Sequence, residues 1–191
     1  MKDNKQNIFS VKSMAFTAIA AAIICVAAPF SIPLPGLVPI SLATFAVYLA
    51  GGLLGAKRGT LAVLVYILIG AVGLPVFSGF AGGFAKLLGV TGGYIIGYIP
   101  CALLTGLFAD LFPKKPWALP VGMVLGTAAC YLLGTVWFII ATGSGLAAAL
   151  AACVVPFLLG DGIKIAAATA ITLPLRSRIG SLLDNVKKES I

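Results

Sequence analysis

Asp161 and Lys164 stand three residues apart in FLLGDGIKIAAA, and they are the only charged residues between Trp117 and Leu175. On a helix, positions i and i+3 share a face, so both side chains project together. An ionised group near the middle of a bilayer costs roughly 2.5–3.5 kcal/mol on insertion scales, so a retained pair points to a polar-ligand or ion site. One turn apart, a carboxylate and an ammonium accept N–H groups and donate to carbonyl or carboxylate oxygens of a single small molecule. The bland alternative is a pair that neutralises itself and only fixes helix register. Gly160 and Gly162 flank Asp161 and remove side-chain cover from it.

A second group of candidates lies in the run SGFAGGFAKLLGVTGGYIIGY. Residues 79–93 hold six glycines, among them Gly83, Gly92 and Gly93, with Phe80 and Phe84 as bulky anchors and Lys86 as the one charge. Glycine at this density permits close backbone approach to a ligand or a helix. An apolar loop of this length reads as a lid that folds back on the bundle. Thr91 suits an N-cap, and Tyr94 and Tyr98, four apart, share the face of the helix that follows. Their rings can stack on a ligand while their hydroxyls bond it; an interfacial aromatic belt is the alternative for Tyr94. In the first apolar run, Ala18 and Ala22 form a small-xxx-small step that lets another helix approach, either a partner's or one of this chain's own.

The elements that must position these residues are membrane helices. Of 191 residues 61% are hydrophobic and 9% charged, and the mean hydropathy is +1.14, which excludes an ordinary soluble domain. The expected fold class is an all-α membrane protein, one integral membrane domain over 1–191. Its six spans fall at about 11–28, 40–56, 59–73, 92–112, 117–141 and 151–175. The segment 29–39 holds four prolines and cannot be regular helix. Strict alternation is absent, which excludes a β-barrel. Eleven of the 13 basic residues fall on one side of this arrangement (Lys2, Lys5, Lys12, Lys57, Arg58, Lys114, Lys115, Arg176, Arg178, Lys187, Lys188). Both termini are therefore expected in the cytoplasm, with the glycine-rich loop between helices 3 and 4 outside. Asp161 then lies about ten residues into the last span, ~15 Å from the outer surface. The first span is read as a retained helix rather than a cleaved signal.

Other chemistries are unsupported. The net charge of +8 is spread over loops and tails, without the dense basic patch that nucleic acid requires. There is no histidine, and the four cysteines stand singly, so they read as small hydrophobes rather than metal ligands. No GxxxxGK[ST] phosphate loop is present, and no Ser/His or Cys/His arrangement is possible. The chain is expected to be no enzyme and to carry no cofactor.

Taken together, SIPLPGLVPISLATFAVYLAG, GGFAKLLGVTGGYIIGY and LLGDGIKI resemble the BioY family over about residues 11–175. These are biotin-specific substrate-binding (S) components of energy-coupling-factor (ECF) transporters. The resemblance implies a six-helix bundle in a prokaryotic cell membrane that holds biotin near its outer face under the loops after spans 1 and 3. It implies as partners a transmembrane coupling protein and two cytoplasmic ATPases, which use the ATP. The family's docking motif on its first helix matches Ala18 and Ala22, and its Asp and Lys match Asp161 and Lys164. Biotin's ureido N–H suits Asp161, while Lys164 suits either the ureido carbonyl or the carboxylate. Tyr94 and the glycines of 79–93 would enclose the bicyclic ring, with Thr44, Phe45 and Tyr48 as lining. An autonomous proton-coupled permease is the competing reading, and a purely structural membrane protein a third.

Overall fold

The computed structural model describes residues 11–33 and 38–185, with side chains as far as 179. Lys2, Lys5, Lys187, Lys188 and the centre of the proline-rich segment lie outside the described residues. In lipid every backbone polar group must be satisfied within the chain, and apolar runs without alternation do so as helices. The elements are α1 (Val11–Ala27), β1 (Ser31–Ile32), β2 (Ile40–Ser41), α2 (Ala43–Ala71), α3 (Phe84–Leu88), α4 (Gly92–Leu111), α5 (Ala118–Thr142), α6 (Leu146–Cys153) and α7 (Val155–Asn185). Among the described residues, α2, α4, α5 and the Leu146–Ile179 run are long and apolar enough to cross a membrane; α1 is apolar but shorter.

The helix α2 is two arms. Gly55 has φ 78° and ψ 179°, outside the helical region. A Cβ on Gly59 would lie 2.7 Å from the Cα of Gly51, whereas eight residues of straight helix span about 12 Å. The chain therefore doubles back at Gly55, a conformation that glycine alone adopts without strain. Asp110, near the end of α4, accepts the N–H of Ala56 at 2.8 Å and so caps the second arm.

Small residues set the helix spacing. On α4 and α5, Gly97 faces Cys130 and Gly126 faces Cys101; a Cβ on either glycine would come within 3.0 Å of the opposing residue. This reciprocal small-xxx-small crossing brings the two backbones into contact. Cys101, Cys130 and Cys153 are buried, and all four cysteines are free, in keeping with small packing residues. Tyr48, Tyr66, Phe77, Ile24 and Met123 fill the remaining interior, while Ile23, Leu68, Leu132, Ile140 and Leu159 point outward as a lipid-facing surface.

Two boundaries differ from the sequence expectation. The last span starts earlier, as α6, and breaks at Val154, just before Pro156, which fits the first turn of α7 but cannot continue a helix from before it. The charged tail after Leu175 is not a loose end: α7 runs on to Asn185. Arg176 in that extension donates to Asp110 at 2.8 Å and also to the Gly52 carbonyl.

Candidate functional site

The strands β1 and β2 pair antiparallel as a short hairpin, with Ser31 opposite Ser41 and Ile32 opposite Ile40. Ser41 is a junction. Its hydroxyl donates to the Ala28 carbonyl at 2.8 Å and accepts the N–H of Ala43 at 2.9 Å, joining the end of α1 to the start of α2. The second loop, 72–91, closes against the first through Gly79 N–H to the Pro29 carbonyl at 3.0 Å and an edge-on contact of Phe30 with Phe80. It is folded back, as its apolar character predicts, but its anchor is Phe77. That ring is fully buried against Tyr66 and fills the space beside Gly70. Phe80 and Phe84, the expected anchors, are 61% and 63% exposed.

Beneath the hairpin sits the charged pair. Asp161 is 3% exposed. Its Oδ1 accepts from Lys164 Nζ at 2.9 Å and from the Thr44 hydroxyl at 3.2 Å. Its Oδ2 accepts from the Tyr131 hydroxyl at 2.5 Å. Lys164 also donates to Thr44 Oγ1 at 3.1 Å and to the Ser41 carbonyl at 2.7 Å. A buried charge is tolerable only with such partners. Three elements supply them: the end of the hairpin and start of α2, the middle of α5, and α7.

The inventory of these bonds limits what the site can do. An ammonium has three N–H donors, and all three of Lys164 are engaged. A carboxylate has about four acceptor positions, of which three are taken, leaving one on Oδ2. The pair thus presents an acceptor to an incoming N–H group without rearrangement. Access of a ligand oxygen to Lys164 requires one of its present partners to yield.

An inner cavity of about 30 Å³ is lined by Val38, Pro39, Ser41, Thr44, Tyr94, Tyr98, Cys130, Tyr131, Phe157, Asp161 and Lys164. That is room for about one water. An outer cavity of about 720 Å³ lies between the two loops, bounded by Pro29, Phe30, Ile32, Leu42, Ser78 and Phe80 among others. It falls within the roughly 300–1,000 Å³ of small-molecule sites. Pro39, Ser41 and Lys164 line both cavities and so lie between them.

Of the residues singled out from sequence, Asp161, Lys164, Thr44, Tyr94 and Tyr98 converge on the inner cavity. Tyr94 is buried, so its position is not that of a surface belt; its hydroxyl lies 3.3 Å from both Thr135 Oγ1 and the Cys153 carbonyl. The others do not line it. Gly92 and Gly93 pack under Leu87 and Trp137, where a Cβ would clash. Gly83 precedes α3 with φ 89° and its N–H bonds the Gly70 carbonyl. Thr91 stands at the N-cap position of α4, but its side chain makes no capping bond; its carbonyl accepts from Tyr94 and Ile95. Phe45 packs against the core and Tyr48 bonds Thr127 at 2.5 Å, away from both cavities. Gly160 and Gly162 have open space beside them and line neither cavity, so the cover they lack is on the outer face of α7. Tyr131 was not singled out from sequence: a lone tyrosine in the apolar run CYLLGTVW carries no spacing signal. On α1, Ser13, Thr17, Ala20, Ala21 and Ile24 face inward, while Ala18 and Ala22 are exposed. Their step is therefore not used to pack another helix of this chain among the described residues.

Comparison with known proteins places this geometry in context. The model of the BioY family matches residues 1–181. The biotin transporter BioY of Thermotoga maritima is 43% identical over 158 residues, covering 83% of this chain and 92% of that protein. The probable biotin transporter BioY of Pyrococcus horikoshii is 37% identical over 160 residues, covering 84% and 93%. A crystal structure of the S-component for biotin from an ECF-type ABC transporter superposes with a TM-score of 0.81 at 30% identity, covering 93% of this chain and 95% of that one.

Proposed function

The chain belongs to the BioY family, and from that premise we propose that it is the biotin-binding S component of an ATP-driven ECF uptake transporter. The observation that carries the reading is the buried Asp161–Lys164 pair, held by Thr44 and Tyr131 beneath two interlocked loops. A single open acceptor position on Asp161 suits a ureido N–H, and the outer cavity has the volume to admit the rest of the vitamin. Seating the bicyclic ring against Asp161 requires the inner cavity to widen, because it holds about 30 Å³.

The chain forms one integral membrane domain of six crossings: α1, the two arms of α2, α4, α5 and α7. Both termini, Lys57, Arg58, Lys114 and Lys115 face the cytoplasm of a prokaryotic cell; the hairpin and the glycine-rich loop face outward. Thr91, Gly83, Gly92, Gly93 and Phe84 then support the loop and α4 around the site. The exposed Ala18 and Ala22 are the docking step for a transmembrane coupling protein, which connects the chain to two cytoplasmic ATPases. The chain binds and is carried, and the ATPases drive the cycle.

Titration of the purified chain with biotin tests the binding; no heat at micromolar ligand, with folded protein, removes the claim. Reconstitution in vesicles separates it from the autonomous permease. Accumulation of biotin on a proton gradient without the ATPase module would favour the permease, in which Asp161 carries the proton.

A further inference from the structure

The polar groups around the inner cavity are almost all paired. Ser41, Thr44, Tyr131, Asp161 and Lys164 bond one another or the backbone, and Tyr94 is held by Thr135 and Cys153. Tyr98 lines the same cavity and is 9% exposed, yet its hydroxyl makes no hydrogen bond among the described residues. The fully enclosed hydroxyls without a partner are those of Thr60, Thr105 and Thr172. Tyr98 is not one of them, because its hydroxyl keeps contact with open space.

Resting on the biotin reading above, we propose that Tyr98 is the donor that reads the ligand's carbonyl oxygen, and that Lys164 is not. A cyclic urea needs an acceptor for N–H and a donor for C=O. Asp161 Oδ2 has one acceptor position open, and Tyr98 has the one uncommitted side-chain donor on the cavity wall among the described residues. Lys164 must give up the Ser41 carbonyl, Thr44 or Asp161 to serve a ligand, whereas Tyr98 gives up nothing. A ligand oxygen at this position replaces at most a water on the Tyr98 hydroxyl, so the bond is made without breaking one within the protein. Selectivity follows: a ligand with N–H groups but no good acceptor between them leaves Tyr98 unpaired.

The test compares biotin with 2′-thiobiotin, whose C=S is a poor acceptor while both N–H groups remain. Tyr98→Phe removes one oxygen and no existing bond, so the free protein's Tm should stay within a degree or two. Biotin should bind about tenfold more weakly to this variant, and thiobiotin less than threefold more weakly. Lys164→Arg, which keeps the cation, should weaken both ligands alike and leave the gap between them intact. The proposal is overturned if Tyr98→Phe weakens both equally, if it markedly lowers the free protein's Tm, or if Lys164→Arg is the variant that closes the gap. A wild-type chain that binds neither ligand would instead remove the biotin reading itself, and the assignment of Tyr98 with it.

Discussion

Tyr131 on α5 donates its hydroxyl to Oδ2 of Asp161 on α7, thirty residues further along the chain, at 2.5 Å. Together with Thr44 on α2, it fixes the carboxylate from two helices that the sequence separates widely. A hydrogen bond to a charged group is worth about 1.5–3 kcal/mol. Tyr131→Phe is therefore expected to weaken biotin binding by about 1.5 kcal/mol, because the carboxylate loses its fixed orientation. Isothermal titration in detergent measures this; unchanged affinity would reduce Tyr131 to a packing residue.

The charged pair separates its structural and binding roles when both members are replaced. Lys164→Met alone strands a buried carboxylate and should cost about 3–5 kcal/mol of stability. Asp161→Leu with Lys164→Met together should recover most of that loss, since two apolar side chains replace two desolvated charges. Biotin binding should be absent from the double variant. Retained affinity in it would mean the pair only sets helix register.

The turn at Gly55 makes a prediction at the opposite end of the bundle. A Cβ there would lie 2.5 Å from Asp110 Oδ1, on a backbone with positive φ. Gly55→Ala should cost about 2–3 kcal/mol, with strain and clash both contributing. Asp110→Asn should cost less than about 1 kcal/mol: its carbonyl oxygen can still cap Ala56, and the ion pair with Arg176 is half exposed. Thermal unfolding of the two variants in the same detergent gives the order, and a reversal would contradict this account of the turn.

Docking and binding should part at α1. Ala18 and Ala22 are exposed there, on a face away from both cavities. Ala18→Trp is expected to leave biotin affinity of the isolated chain within about twofold while abolishing co-purification with the coupling protein and ATPases. Normal assembly of this variant would place the docking surface elsewhere.

What the sequence made legible was the energetically costly part. Asp161 and Lys164 stand out because charge in an apolar run is expensive, and the i, i+4 spacing of Tyr94 and Tyr98 puts them on one inward face. Thr44 was a weaker candidate that the structure places against the pair. Tyr131 was invisible for a physical reason: its partner lies on another helix, and tertiary pairing leaves no periodic trace. Phe77 was passed over for Phe80 and Phe84 because all three share a composition, and only the fold decides which ring lies beside Gly70. Gly92 and Gly93, expected as ligand contacts, lie against Leu87 and Trp137, since close approach to a helix and to a ligand demand the same residue. A join between two spans is expected at Lys57 and Arg58; the structure turns the chain slightly earlier, at Gly55, against Asp110.

The first arm of α2 and the helix α7 are tied together at two levels. Lys164 reaches Ser41 and Thr44 at one, and Arg176 reaches Gly52 and Asp110 at the other, twelve residues or about 18 Å along α7. Ties at two levels oppose a scissoring of these helices, so a rearrangement of the loops above the site breaks fewer bonds than a splaying of α7 from α2.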